Sequence, residues 1–341
     1  MAWEMIGHAW AVELLQKHLT GGRVRHAYLF TGPNGVGKRT LALRFARVLA
    51  CESPPLAGEA CGTCRACGQI AAQSYPDLHV VSRRLGESQI PIDQIRELQH
   101  QLALAPYAGR CRVALLADFH DASLPAQNAL LKTLEEPSSR VVLLVTAREP
   151  ESLLPTIVSR CEVVALRGLP AGELAAALAA MGETPDRSAL LAALAAGRPG
   201  RALQLRGEPQ LLELRAQALD ELQRLLGAGR PEQFDYVDRL VGKKSREDDL
   251  EAKRRKAVEV LETWLSLWRD AMLAAYGVQA PLANPDRGRD LKRLKVAVPP
   301  SEVVAAVRAT ERTIESLRRN ANLTLAMETL MLDMPRVPGG P

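Results

Sequence analysis

The stretch Tyr28-Leu29-Phe30-Thr31-Gly32-Pro33-Asn34-Gly35-Val36-Gly37-Lys38-Arg39-Thr40 decides the fold of this 341-residue chain. An apolar strand, a glycine-rich turn and an amphipathic stretch follow one another, with the spacing G-x-x-x-x-G-K of a phosphate-binding P-loop. Glycine lets backbone N–H groups turn inward onto phosphate oxygens, and the N-terminus of the following helix adds its dipole. We therefore predict a phosphate-binding loop that contains Gly32, Gly35, Gly37 and Lys38.

Two positions that hold Mg²⁺ in P-loop ATPases carry unsuitable side chains. The motif requires Ser or Thr after the lysine, and here Arg39 offers a guanidinium without a lone pair for a metal. Thr40 lies about 100° further round the helix. A later apolar strand should end in a metal-binding Asp, but Ala117 occupies that position and Asp118 follows it. We expect that the chain does not hydrolyse ATP and binds it weakly through Lys38 or not at all.

Four cysteines directly after the P-loop helix have the spacing of a metal site. Cys51, Cys61, Cys64 and Cys67 form the pattern C-x9-C-x2-C-x2-C. Disulfides are rare in cytosolic proteins, and Cys-x-x-Cys pairs at a turn direct two thiolates at one ion. Zn²⁺ favours four thiolates in closed, structural sites. We predict structural zinc, with redox-active thiols and an iron–sulfur cluster as alternatives.

Composition predicts a cytoplasmic protein with no membrane part. No apolar run approaches the roughly 18–20 residues that span a bilayer, and the N-terminus lacks the pattern of a secretory signal. A net charge of +5 permits but does not require contact with nucleic acid. The densest basic cluster, Lys243–Lys256, contains several acidic residues. We interpret it as a solvated surface, with a DNA-facing surface as the alternative.

Strand patterns alternate with helical patterns in the first half of the chain, which predicts an α/β domain with a parallel sheet. The candidate strands are Tyr28–Thr31, Leu78–Ser82, Val113–Ala117, Val141–Val145 and Glu162–Leu166. Ala/Leu-rich helical patterns follow. We predict a P-loop domain over residues 1–167 with the cysteine module at 51–67, a three-helix domain over 168–207, a larger helical domain over 208–335, and a disordered tail over 336–341.

Arg160 lies in a short helical run that leads into the last predicted strand. An arginine at a domain edge can enter the ATP site of a neighbouring subunit, where it stabilises the transferred phosphoryl group and accelerates transfer by about 10³–10⁵. The alternative is a helix-end arginine that hydrogen-bonds a carbonyl or carboxylate. Spacing alone favours this alternative.

Several runs of sequence together resemble the clamp-loader subunits of bacterial DNA polymerase III, which are AAA+ proteins. They are Arg25–Phe30, the four-cysteine insert, Gln127–Pro137 and Ser159-Arg160-Cys161, with weaker similarity over Asn322–Glu328. In that family the γ/τ subunits carry intact nucleotide motifs, whereas δ′ subunits commonly carry degenerate ones. Arg39 and Ala117 make the chain similar to the δ′ type.

The resemblance implies an AAA+ core, a helical lid and an all-α collar domain. It implies assembly with γ/τ and δ subunits in a ring of five that loads the sliding clamp onto primer–template DNA. Arg160 would be the finger that enters the ATP site of a γ/τ neighbour, and the four cysteines would hold Zn²⁺. Thr146 matches a nucleotide-sensing position, and Gly200, next to Arg201, takes the place of a sensing arginine in the lid.

Two other functions compete with this one. A γ/τ-like motor subunit would hydrolyse ATP with the help of Thr40 and Asp118, and a change at Lys38 would abolish that activity. A zinc-dependent nucleic-acid module would contact DNA through residues 61–68, although Arg65 is the only basic residue there. The remaining notable side chains are expected to be packing or local hydrogen-bonding residues: His79, His120, Cys111 and Cys161.

Overall fold

The structure is a computed structural model, and it describes residues 3–84, 86–87, 89–138, 140–242 and 247–337. The chain divides into two compact units. The first unit contains Met1–Glu183 and Ala196–Ala202, and the second contains Thr184–Ala195 and Leu203–Pro341. The division into three domains stays a prediction.

Five parallel strands form one sheet in the first unit, and they lie where the sequence predicts them. They pair in the order β2-β3-β4-β1-β5. Their bounds are β1 Ala27–Thr31, β2 Leu78–Val81, β3 Arg112–Leu116, β4 Val141–Ala147 and β5 Glu162–Ala165. Every residue of β1, β3 and β4 is buried. A parallel sheet covered on both faces produces such continuous apolar runs, which explains why the strands are visible in the sequence.

Helices cover both faces of this sheet. They are α1 Ala9–Thr20, α2 Lys38–Ala50, α3 Arg65–Ala71, α4 Ile92–Ala103, α5 Leu124–Glu135 and α6 Pro155–Val158, and helix α7 Ala171–Ala180 follows the last strand. Alternate side chains of a strand point to opposite faces. Tyr28 and Phe30 therefore pack with Phe45 of α2 on one side. Leu29 packs on the other side, in the same cluster as Leu130 of α5.

The second unit is helical. Its helices are α8 Pro185–Ala195, α9 Pro199–Gly207 (which begins in the first unit), α10 Gln210–Gly227, α11 Arg230–Val241, α12 Glu247–Ala275, α13 Gly288–Ala297, α14 Pro300–Arg318 and α15 Leu323–Asp333. Trp264 and Trp268 of α12 are fully buried in its core. The buried carboxylate of Asp270 accepts the N–H groups of Ala283 and Asn284, which fixes the connection between α12 and α13.

Two segments that the sequence singled out lie partly outside the described residues. In the basic cluster these are residues 243–246, and in the predicted tail they are residues 338–341. Val337, which precedes the latter, is buried, and its N–H donates to the carbonyl of Leu226. In the part of the chain that the structure describes, no helix is both long and apolar enough to span a membrane.

Candidate functional site

The predicted phosphate loop connects β1 to α2, as the motif requires. Gly32 and Gly37 have φ angles of 138° and 113°, a region that residues with a Cβ rarely adopt. A Cβ at Gly32 would lie 2.2 Å from the carbonyl oxygen of Leu166. The loop therefore depends on glycine at these positions for its conformation.

Lys38 lies inside this loop. Its side chain is 5% exposed, and its Nζ donates to the carbonyls of Gly32 at 2.6 Å and Pro33 at 3.2 Å. Burial lowers the pKa of Lys38, and the carboxylate of Asp118 partly opposes that effect. A cavity of about 360 Å³ opens beside the lysine, at the lower end of ligand-pocket volumes. Its lining contains Asn34, Gly35, Gly37, Lys38, Arg39, Thr40, Asp118, Thr146 and Gly200.

Neither of the two positions that hold Mg²⁺ in P-loop ATPases, 39 and 117, carries a metal-binding side chain here. The guanidinium of Arg39 donates to Oε1 of Gln73 at 3.0 Å, in the loop after α3. Ala117 is 2% exposed, and its side chain is a methyl group. Thr40 and Asp118, whose side chains carry oxygen atoms, also line the cavity. The alternative interpretation, a γ/τ-like subunit that hydrolyses ATP, requires the side chains of Thr40 and Asp118.

Thr146 has a role that the sequence did not indicate. Its Oγ1 accepts the backbone N–H of Asp118 at 2.8 Å, while Asp118 adopts a left-handed conformation with φ 49°. The hydroxyl at the predicted nucleotide-sensing position thus fixes the turn that presents Asp118 to the cavity. Strand order explains this contact, because β3 and β4 are neighbours and both end at this edge.

His8 and Gly200 approach the loop from two other parts of the first unit. The Nε2–H of His8 donates to the carbonyl of Val36 at 3.0 Å, and burial lowers the pKa of this imidazole. The N–H of Gly200 donates to the carbonyl of Gly35 at 2.7 Å. Sequence analysis missed His8, since an isolated histidine ahead of a helix carries no signal of such a contact.

The predicted cysteine ligands converge. The Sγ atoms of Cys51, Cys61, Cys64 and Cys67 all lie within 4.8 Å of one another. Four thiolates at about 2.3 Å from one zinc ion would be about 3.8 Å apart, close to the 3.9 Å between Cys61 and Cys67. This geometry fits one tetrahedral metal ion.

Backbone N–H groups favour the thiolate form of Cys61, whereas burial raises the pKa of Cys51 and raises the pKa of Cys67 to about 12. Cys61 accepts the N–H of Cys64, and this bond, with that of Thr63, lowers the pKa of Cys61 to about 5. Cys51 accepts the N–H of Cys61 at 3.3 Å. The cluster can therefore hold a metal ion. Cys111 and Cys161 lie outside it, and burial raises the pKa of Cys161 to about 12.

Arg160 follows α6 at the start of β5. Its Nη1 donates to the carbonyl of Thr156 at 3.0 Å, and its Nη2 lies 2.9 Å from Oε1 of Glu135. These are the contacts of the helix-end alternative, yet the side chain remains 35% exposed. Glu135 was not singled out from the sequence, because nothing in its spacing links it to Arg160.

The sheet separates Arg160 from the phosphate loop of its own chain. Glu162 at the start of β5 is level with Tyr28 in β1, and both strands run in the same direction. Gly32 is four residues beyond Tyr28, about 13 Å further along the strand direction. Arg160 therefore lies at the opposite end of the strands from the phosphate loop and cannot serve that loop.

A parallel sheet in this strand order, with a P-loop after β1 and helical segments after β5, matches the AAA+ fold. The sequence model of the family described as "DNA polymerase III, delta subunit" matches residues 7–170. The δ′ subunit of Pseudomonas aeruginosa DNA polymerase III is 40% identical over 210 residues, which cover 60% of this chain and 63% of that protein. Over this part of the chain the sequence is similar to the δ′ subunits of bacterial DNA polymerase III.

Two further relatives are also subunits of bacterial DNA polymerase III. The δ′ subunit of Escherichia coli DNA polymerase III is 35% identical over 195 residues, which cover 57% of this chain and 58% of that subunit. The τ subunit of Bacillus subtilis is 35% identical over 159 residues, but these cover only 47% of this chain and 28% of that protein. The chain thus spans about three fifths of the length of both δ′ relatives, at 63% and 58%.

Proposed function

We propose that the chain is the δ′-type subunit of a bacterial clamp loader. It joins γ/τ and δ subunits in a ring of five, and the ring loads the sliding clamp onto primed DNA. Within the ring it supplies Arg160 to the ATP site of a γ/τ neighbour and hydrolyses no ATP itself. The separation of Arg160 from its own loop is the observation that carries this proposal.

The absence of hydrolysis follows from what Mg²⁺ requires. This ion demands near-octahedral oxygen coordination, which P-loop ATPases supply through a hydroxyl and a carboxylate. Arg39 donates to Gln73 and offers no lone pair, and Ala117 carries no polar atom. Phosphate can still contact the loop N–H groups and Lys38, so the chain retains at most weak binding of nucleotide without metal.

The role of Arg160 follows from exposure and chemistry. Its guanidinium is fixed at one side by Thr156 and Glu135 and is 35% exposed. Arginine presents five N–H donors in a fixed fork, which suits the oxygens of a phosphoryl group. A neighbouring subunit that docks its ATP site against this edge would receive the charge of Arg160.

The four cysteines hold Zn²⁺ in a structural role. Cys51 follows α2, and Cys67 lies within α3. A closed site of four protein ligands leaves no position for a reacting water. Zinc would therefore fix α3 against the phosphate-loop helix without taking part in chemistry.

One measurement separates this proposal from the γ/τ-like alternative. The purified chain should show no Mg²⁺-dependent ATP turnover, with the Lys38→Ala variant as the control. Sustained turnover that Lys38→Ala abolishes would establish the motor function, with Thr40 and Asp118 as the metal-binding groups. In a loader reconstituted with γ/τ and δ subunits, the same chain should be required for full ATP turnover.

A further inference from the structure

Helix α5 holds the segment of Arg160 at two points. Near its beginning, the side-chain oxygen of Gln127 accepts the N–H of Leu154, directly before α6, at 3.0 Å. At its last residue, Glu135 contacts Arg160 at 2.9 Å. Eight residues of helix separate the two anchors, about 12 Å. The first contact holds the backbone directly before the four-residue helix α6, and the second holds the guanidinium of Arg160 after it.

The charges at the two helix ends explain why Glu135 and Arg160 attract each other. Glu135 is the last residue of α5, where the helix dipole disfavours a carboxylate. Arg160 lies just beyond the last turn of α6, where the dipole favours a cation, and it bonds the Thr156 carbonyl of that turn. Pairing relieves the unfavourable position of Glu135.

Packing keeps the rest of the segment in place without this pair. Ile157 of α6 is fully buried in the same apolar cluster as Leu130 and Leu134 of α5. Glu135 itself is half exposed. Exposed ion pairs contribute little to stability. Loss of the Glu135 carboxylate should therefore leave the fold intact and affect chiefly the direction of the Arg160 side chain.

We propose that Glu135 is a positioning residue for Arg160. Its carboxylate holds one edge of the guanidinium, so that the remaining N–H groups are directed outward before a neighbour docks. A long, free arginine side chain would have to be ordered during each phosphoryl transfer, and small errors in its placement would slow the reaction. This inference rests on the proposed function, because it assumes that Arg160 serves a neighbouring ATP site.

The test compares Glu135→Ala with Glu136→Ala in the reconstituted loader. Glu136 is the adjacent exposed carboxylate, and within the described residues its side chain makes no ion pair or hydrogen bond. Glu135→Ala should lower the kcat of ATP hydrolysis by about three- to tenfold and change the KM for ATP by less than about twofold. Glu136→Ala should change neither. Glu135→Gln, which keeps the shape but not the charge, should fall between Glu135→Ala and the unchanged chain.

A double-mutant cycle separates positioning from an independent effect. In the Arg160→Ala background, Glu135→Ala should cause no further loss, because its effect passes through the guanidinium. Three results would overturn the inference. Glu135→Ala could lower the kcat by its full factor even without Arg160, it could leave the kcat unchanged, or Glu136→Ala could lower the kcat equally. If Arg160→Ala alone leaves turnover unchanged, the proposed function fails. If Arg160→Ala lowers turnover and Glu135→Ala does not, only the positioning role fails.

Discussion

The backbone N–H of Gly200 donates to the carbonyl oxygen of Gly35 at 2.7 Å, which joins the start of α9 directly to the phosphate loop. A Cβ on residue 200 would lie 2.9 Å from that oxygen and 3.3 Å from the Cα of Gly35. Both atoms belong to the backbone, so neither can rotate away. The contact therefore requires glycine at position 200.

Gly200→Ala should destabilise the first unit by about 1–3 kcal/mol, because the added methyl group overpacks a backbone contact. Gly172→Ala in α7 is the matched control, since a Cβ there meets nothing within 4 Å and alanine favours a helix. Denaturant unfolding gives the free energies, and amide exchange at Gly200 reports the hydrogen bond. Equal stability of the two variants would mean that the loop tolerates the displacement.

Arg160→Ala should leave assembly intact and slow ATP hydrolysis at the neighbouring site by up to about 10³-fold. A guanidinium at that site stabilises charge on the transferred phosphoryl group, and alanine cannot replace it. Single-turnover hydrolysis and clamp loading by the reconstituted complex provide the measurement. Arg96→Ala is the control, because Arg96 is also an exposed arginine paired with a carboxylate, that of Asp93. If the Arg160→Ala complex hydrolyses ATP and loads the clamp at undiminished rates, Arg160 does not act in a neighbouring ATP site.

ATP binding to the isolated chain should be weak and insensitive to Mg²⁺. Equilibrium titration with labelled ATP, with and without Mg²⁺, tests this directly. The double variant Arg39→Thr, Ala117→Asp restores a hydroxyl and a carboxylate, so its affinity should rise with Mg²⁺ by about tenfold or more. Lys38→Ala should weaken binding in either condition. Strong enhancement by Mg²⁺ in the natural chain would show that Thr40 and Asp118 suffice.

Cys61→Ser should remove bound zinc and lower the thermal stability of the first unit, because metal-binding energy contributes to folding. Cys111→Ser, outside the cluster, should retain one zinc ion per chain. Metal analysis and thermal melts measure both effects. Protons compete with the metal for thiolates, so zinc release should increase as the pH falls. Full zinc content in Cys61→Ser would exclude this residue as a ligand.

The sequence located the sheet and the cysteine site because both depend on local patterns. Strands buried on both faces are continuous apolar runs, and Cys-x-x-Cys spacing brings thiolates together over a few residues. The predicted strand ends differ from the observed ones by one or two residues. Ser82 and Ala117 are predicted to end β2 and β3 but lie just outside them, and β4 extends past its predicted end to include Thr146 and Ala147. The ends depend on backbone pairing with a neighbouring strand, which side-chain patterns do not encode.

Contacts between distant segments could not be predicted. Glu135 reaches Arg160 from another helix, and Gly200 reaches Gly35 from a segment far along the chain. Such pairs depend on how α5, α6 and the start of α9 pack. A single sequence provides residue types and spacing, but not the relative placement of packed helices. The sequence therefore could not show that Arg160 contacts Thr156 and Glu135, the partners that the helix-end alternative requires.

The hydrogen bond between Arg39 and Gln73 gives the side chain at position 39 a structural role in addition to its effect on metal binding. Arg39→Thr alone would regain a hydroxyl, yet it would lose the link from α2 to the loop after α3 while position 117 still offered only a methyl group. Ala117→Asp alone would bury a carboxylate while position 39 still offered no oxygen ligand. Under the proposed function neither single substitution completes a Mg²⁺ site, so the two substitutions have to be made together before any gain in metal binding can be measured.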